Sequence, residues 1–282
     1  MGHRPWVLEH QMSAYSGRTA IVTGASTGIG QASAEALARA GFTVFGTSRR
    51  ATNNGPNRVA MRICDVTDDR AVHDFVSTVL ALTGRIDVLV NNAGIGLLGG
   101  AEESSVAQVQ ALFNVNLFGV LRMTNAVLPS MRQRGEGRIV NISSVFGLLP
   151  APYSAHYSAT KHALEGYSES LDHEVRAFNI RVSLIEPAYT RSVFEQNALE
   201  PDSALKEYDQ ARDGARALIR DVMTIADPPE VVADAVLLAA TAARPRRRYT
   251  AGKVAWQVSL LRRFAPAEMF DKSLRKQMRL PA

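Results

Sequence analysis

Cysteine is nearly missing from this chain of 282 residues: the single Cys64 excludes an intrachain disulfide framework and a cysteine-based zinc site. That scarcity fits a reducing compartment, and a cytoplasmic protein is expected. Long hydrophobic runs are missing too, since the longest candidate, 231–243, is interrupted by Asp234, so no transmembrane segment is expected. Residues 1–16 contain His3, Arg4, Glu9 and His10 but no continuous apolar segment or small-residue cleavage site. They read as an irregular N-terminal extension rather than a secretory signal. His73 and His173 have no metal-like partners in the sequence, and no metal is expected. A strong single-sign charge is absent as well. The net charge is only +5, with lysine and arginine spread along the chain apart from a run at Arg244, Arg246, Arg247 and Arg248. We read that run as solvated surface and expect no nucleic-acid partner.

What is present is ordinary globular composition, 46% apolar and 21% charged, on a length that favours one α/β domain over 17–282. Short β-branched apolar segments at 19–23, 43–47, 59–63, 86–90, 138–142 and 180–185 alternate with helix-like stretches at 30–40, 70–82, 105–131 and 156–178. The alternation predicts a doubly wound parallel sheet, Rossmann-like, with helices on both faces. It stops after Pro187. Residues 191–226 are rich in charge and show no clear strand, which suits a substrate lid; Pro228 and Pro229 open another helical stretch, and 249–282 form a C-terminal elaboration of mixed apolar and basic character.

The first strand runs into Thr23-Gly24-Ala25-Ser26-Thr27-Gly28-Ile29-Gly30 and then a helix. Glycines between a strand and a helix let the backbone approach a pyrophosphate, which the unpaired N–H groups and positive end of the helix then face. Gly24, Ser26, Thr27, Gly28, Ile29 and Gly30 are therefore candidate cofactor contacts. After the second strand, where a carboxylate would select NAD(H) by accepting from the ribose hydroxyls, this chain has Ser48 followed by Arg49 and Arg50. Arg49 can make bidentate, charge-assisted bonds to a 2′-phosphate, so NADP(H) is expected in preference to NAD(H). Two solvated arginines are the other reading.

Tyr157 and Lys161 lie four residues apart in a helical stretch and should share one face. A free phenol has a pKa of about 10, and the Lys161 ammonium with an oxidised nicotinamide would favour its phenolate. The marks Thr23-Gly24-x-x-x-Gly28-Ile29-Gly30, Asp65-Val66, Asn91-Asn92-Ala93-Gly94, Asn116, Ser143-Ser144 and Tyr157-Ser158-Ala159-Thr160-Lys161 occur in order, and together they resemble the short-chain dehydrogenase/reductase superfamily over about 17–195. The resemblance implies a catalytic set of Asn116, Ser144, Tyr157 and Lys161. Ser144 would donate to the substrate oxygen, Lys161 would also bind the nicotinamide ribose, and Asn116 would kink its helix and help hold a water in the proton path. It further implies that Asn92, Ala93 and Gly94 pass under the cofactor, that Asp65 and Val66 lie near the adenine, and that Pro187 and Thr190 contact the carboxamide. Asp65 could instead cap the following helix. Ala188 departs from the usual glycine and puts the local turn in doubt.

Leu97, Leu98, Phe146, Leu148, Leu149, Tyr153 and Phe194 would make the pocket apolar, unless the leucines belong to the core. The expected reaction interconverts a carbonyl and an alcohol on a lipophilic small molecule such as a steroid, retinoid, long-chain or aryl ketone. Arg248-Tyr249-x-x-Gly252 and the tail resemble hydroxysteroid and retinol dehydrogenases. One alternative is a reductase of acyl-thioester ketones, in which Arg191 and Arg212 would meet a phosphopantetheine group. Another is a non-catalytic NADPH-binding sensor or scaffold. Residues 254–264 and the basic tail could make peripheral membrane contact. The resemblance also implies a homodimer or homotetramer built on the helices containing Asn116 and Tyr157.

Overall fold

The computed structural model describes residues 17–51, 53 and 59–277; the N-terminal extension 1–16 lies outside them. Seven parallel strands form one sheet in the order β3-β2-β1-β4-β5-β6-β7. They are β1 (Thr19–Val22), β2 (Thr43–Ser48), β3 (Val59–Ile63), β4 (Val88–Asn91), β5 (Gly137–Ile142), β6 (Ile180–Pro187) and β7 (Arg248–Ala251). The order reverses between β1 and β4, which opens a crevice at the carboxyl ends of those strands, where doubly wound sheets bind ligands.

Helices cover both faces, so the central strands are apolar along their whole length rather than alternating. On one face α1 (Gly28–Arg39) and α7 (Pro229–Thr241) pack Leu37, Val232 and Val236 against Val22, Val44 and Val140. On the other, α2 (Asp69–Thr83), α4 (Gly119–Arg134) and α5 (Ala155–Val175) bury Val79, Met123, Val127 and Leu171 against Ile21, Leu89 and Ile139. Local chemistry sets the helix ends. Asp68 caps α2 by accepting from Ala71 N at 3.0 Å, and Gly84 ends it at φ +69°.

The helix expected over 105–131 is a rod of three parts: α3 (Val106–Phe113), a π-helical turn Asn114–Phe118, and α4. By length and composition alone the rod 106–134 is long and apolar enough to cross a membrane. Its buried Leu112, Met123 and Met131 make it a central helix of a layered fold instead.

Two expectations need correction. Sequence periodicity missed β7, because four residues beginning with arginine carry too little pattern; only Tyr249 and Ala251 turn inward. Arg248 is not part of a solvated run: it is ion-paired to Glu165, Glu169 and Glu186. Beyond Pro187 the chain forms the irregular stretch 191–205, then α6 (Asp209–Met223), α7, β7, α8 (Lys253–Phe264) and α9 (Ala267–Gln277).

Candidate active site

The glycine turn after β1 is built for close backbone approach. Gly24 and Gly28 sit at φ +64° and +57°, and a Cβ on Gly30 would lie 2.2 Å from Gly24 O and 2.4 Å from Asn92 Nδ2. Asn92 clamps the turn to the end of β4, donating from Nδ2 to Thr23 O (2.9 Å) and Gly24 O (3.1 Å); Thr23 Oγ1 in return accepts from the backbone N–H groups of Asn92 and Ala93. No side chain caps α1, and its first turn holds no acidic residue. Its first N–H groups and positive dipole end therefore suit an anion, and Ser26 and Thr27 are exposed beside them. Arg49 and Arg50 are exposed at the end of β2. Val66 is buried, while Asp65 Oδ1 accepts from Thr67 N (2.9 Å) and Thr67 Oγ1 (2.8 Å), so this carboxylate does stabilise a local turn. These residues fit a dinucleotide: a glycine cradle that a side chain would fill, an uncapped helix end, and cations at the ribose end.

The reactive side chains come from β5, the π turn and α5. Ser144 follows β5; its Oγ accepts from Phe146 N at 3.1 Å, and its hydroxyl favours the charged form of the Tyr157 phenol. Lys161, one turn along α5 from Tyr157, has its Nζ 5.6 Å from the Tyr157 ring centroid and donates to Ile142 O at 2.9 Å. Asn116 is buried in the π turn. Its Oδ1 accepts from Ile95 N (2.9 Å), and its Nδ2 donates to Ile95 O (2.9 Å) and Thr160 Oγ1 (3.2 Å). The amide thus ties the rod to the segment after β4 and to α5; π turns recur at functional sites because they reset helix register there.

The electrostatics of Tyr157 and Lys161 follow from their burial. Burial, then the Glu195 carboxylate, push the Tyr157 phenol above its ordinary value, and the Ser144 hydrogen bond offsets only part of this. Burial also pulls the Lys161 ammonium down to about 8, against the attraction of Glu165. The protein's own groups therefore keep the phenol protonated, and Lys161 by itself does not make it acidic.

Around Tyr157 stand three aromatic rings. Phe146 lies edge-on to both Tyr157 and Tyr189 at 6.2 Å, and Phe194 is tilted against Tyr157 at 5.9 Å. Leu97 and Leu149, expected in the pocket wall, are buried, with Leu97 bridged to Leu199. Arg212, expected to be free for a thioester carrier, is also buried and paired with Glu103 and Asp209. Pro187 and Thr190 are buried at the end of β6; Thr190 Oγ1 donates to Ala188 O at 3.3 Å. Ala188 is not among the positive-φ residues, so the turn runs without the usual glycine and without strain. His156 and His162 make ordinary contacts with the carbonyls of Ala101 and Ser158. Sequence reasoning overlooked Glu165 and Glu195. Glu165 was findable, because it continues the four-residue spacing of Tyr157 and Lys161 along one helix face.

Known proteins resemble the chain over most of its length. The short chain dehydrogenase family model matches residues 18–203. The chain is 36% identical to the oxidoreductase YbbO of Escherichia coli over 91% of its own length and 94% of that protein. It is 43% identical to a 3-ketodihydrosphingosine reductase of Bacteroides thetaiotaomicron, over 63% of this chain and 65% of that one. Retinol dehydrogenase 8 of Bos taurus is 35% identical over 82% and 81%. Among solved structures, a short-chain dehydrogenase from Streptomyces avermitilis matches with a TM-score of 0.78 and 36% identity, covering 93% of this chain and 98% of that one. A metagenomic short-chain oxidoreductase in complex with NADP matches at TM-score 0.65 and 30% identity, covering 84% and 97%. A Burkholderia phymatum member in complex with NAD matches at 0.77 and 27%, covering 92% and 96%. With its glycine turn, its Ser144, Tyr157 and Lys161 side by side and these likenesses over most of its length, the chain belongs to the short-chain dehydrogenase family.

Proposed function

We propose that this oxidoreductase interconverts a carbonyl and an alcohol on a lipophilic small molecule, with NADP(H) preferred over NAD(H). The observation that carries the reading is the meeting of Ser144, Tyr157 and Lys161 at the carboxyl edge of the sheet, beside the glycine turn. When bound, the dinucleotide would supply or accept the hydride at its nicotinamide ring.

The chain's own residues do the rest. Ser144 Oγ holds the substrate oxygen, and its hydrogen bond strengthens as negative charge grows there. Tyr157 Oη gives its proton to that oxygen during reduction and takes it back during oxidation. A raised phenol suits proton donation, and it becomes a base when positive charge is added near it; Lys161 contributes part of that charge. Gly24, Ser26, Thr27, Gly28, Ile29 and Gly30 would cradle the pyrophosphate and Arg49 the 2′-phosphate, Asn92, Ala93 and Gly94 would support the cofactor from beneath, and Pro187 and Thr190 would lie at the carboxamide.

The segment 191–226 acts as the lid in this reading. Phe194 already covers Tyr157, and Ser192 lies where a Cβ on Gly28 would come within 2.9 Å of it. The rings of Phe146, Tyr189 and Phe194 favour an apolar substrate. The 3-ketodihydrosphingosine reductase and the retinol dehydrogenase among the relatives support the same class. Loss of reduced-nicotinamide absorbance across a panel of steroid, retinoid, long-chain and aryl carbonyls tests the reading. Turnover restricted to sugars or small hydroxy acids, or equal efficiency with NADH, would remove the corresponding part.

A further inference from the structure

Behind the reactive side chains, on the same face of α5, lies a buried acid that the proposed mechanism does not use. Glu165 follows Lys161 by one helical turn and is 5% exposed. One of its oxygens, Oε1, accepts from Ser143 Oγ, the residue next to Ser144; the other, Oε2, lies 2.5 Å from Arg248 of β7. Two residues of one helix therefore grip the end of one strand. Lys161 holds Ile142 by its carbonyl, Glu165 holds Ser143 by its hydroxyl, and Ser144 comes next.

The packing leaves no slack around this grip. A Cβ on Gly147, in the turn after Ser144, would meet Ser143 Oγ at 2.8 Å and Glu165 Cγ at 2.9 Å, so only glycine lets the serine turn lie against the acid. Arg248 also bonds Glu186 of β6 at 2.6 Å and Glu169 of α5 at 3.1 Å, and Glu186 immediately precedes Pro187. One guanidinium thus joins α5, β6 and β7.

We propose that Glu165 is a positioning residue: it supplies the counter-charge for the Lys161 ammonium and fixes the Ser144 turn to the same helix, with Arg248 holding it in place. The groups facing it are Lys161 and Glu169 on its own helix, Ser143 at the end of β5, Glu186 on β6 and Arg248 on β7. Burial raises the carboxyl to about 7, against the hydrogen bond of Ser143 and the charge of Arg248, while Glu186 and Glu169 raise it further. In the other direction, Glu165 is the group that opposes the burial-driven fall of Lys161. The inference rests on the functional reading for its catalytic meaning, so its test is made on Lys161 directly.

The test is trace acetylation of the folded protein by acetic anhydride across a pH series, without dinucleotide or substrate. The Lys161 peptide is read by mass spectrometry, and circular dichroism verifies the fold of each variant. Glu165→Gln keeps an acceptor for Ser143 and loses the charge, so the pH of half-reaction at Lys161 should fall by about one unit. Ser143→Ala removes a single hydroxyl that favours the charged acid, and should shift Lys161 the same way by less; it covers the case in which the glutamine variant does not fold. Glu165→Asp keeps the charge on a shorter arm. It should leave the Lys161 titration unchanged, while kcat for whichever panel carbonyl the parent reduces falls about tenfold at constant KM for NADPH. An unmoved half-reaction pH in a folded glutamine or alanine variant overturns the proposal. A parent enzyme that reduces no carbonyl would instead overturn the functional reading, and the labelling result would still stand or fall by itself.

Discussion

In the proposed reaction Tyr157 concentrates the chemistry in one oxygen, and two substitutions probe it. Tyr157→Phe removes the transferable proton but leaves the glycine turn and the ring contacts with Phe146 and Phe194 in place. The expected outcome is a loss of at least about a hundredfold in kcat with NADPH affinity retained, measured by steady-state kinetics and a fluorescence titration of the dinucleotide. Glu195, in the segment proposed as a lid, adds its charge to burial in raising both Tyr157 and Tyr189. Glu195→Gln removes that charge, so the phenol should release its proton more readily. The rising limb of the pH profile for alcohol oxidation should therefore move to lower pH; a limb that stays in place or moves up would show that the carboxylate does not act on the phenol. Tyr157 and Lys161 were legible in the sequence from helical spacing and family motifs together, and Ser144 from the motifs alone. Glu195 was not, since a lone acid in a stretch without periodicity gives no signal of where it faces.

Among the elements, the turn joining β1 to α1 tolerates the least change. Its backbone is wedged against Asn92, and a methyl group on Gly30 would overlap Gly24 O and Asn92 Nδ2. Gly30→Ala should displace the turn and weaken NADPH binding by tenfold or more, with a smaller effect on thermal stability; calorimetric titration and a melting curve separate the two. This turn was fully legible, because its glycines fall between a strand and a helix. The rod 106–134 was legible as helix, and the family resemblance implied a kink at Asn116, but its division into three parts was not legible. Its π turn depends on Asn116 reaching Ile95 and Thr160, contacts that no local pattern encodes. The four residues of β7 were hidden for a related reason: their place is set by pairing with β6, and Arg248 looks like surface until the three acids around it are brought together.

For the whole molecule, the alternation of apolar strands and helices was enough to give the doubly wound sheet, whereas the charge networks that lock its layers required the fold. Asp172 shows how such a network sets acid stability. Burial opposes its charge, but Arg181, the Val182 N–H and Arg176 hold the carboxyl down to about 2, binding the end of α5 to β6. Because this value lies below the ordinary one of 3.8, the stabilisation is complete above about pH 4 and disappears as the pH falls through about 2. Asp172→Asn should therefore lower the melting temperature at neutral pH, and the difference from the parent should shrink to nothing in strong acid, as followed by circular dichroism. Arg248 carries a further consequence, for synthesis. It trails Glu169 by 79 residues and Glu186 by 62, so on the ribosome those acids and Glu165 emerge well before the cation that reconciles them. The glycine turn can settle early, but the corner that the proposed reaction assigns to proton transfer has to wait for the last strand, and a nascent chain stalled before it would hold three mutually repelling acids where the finished protein holds a clasp.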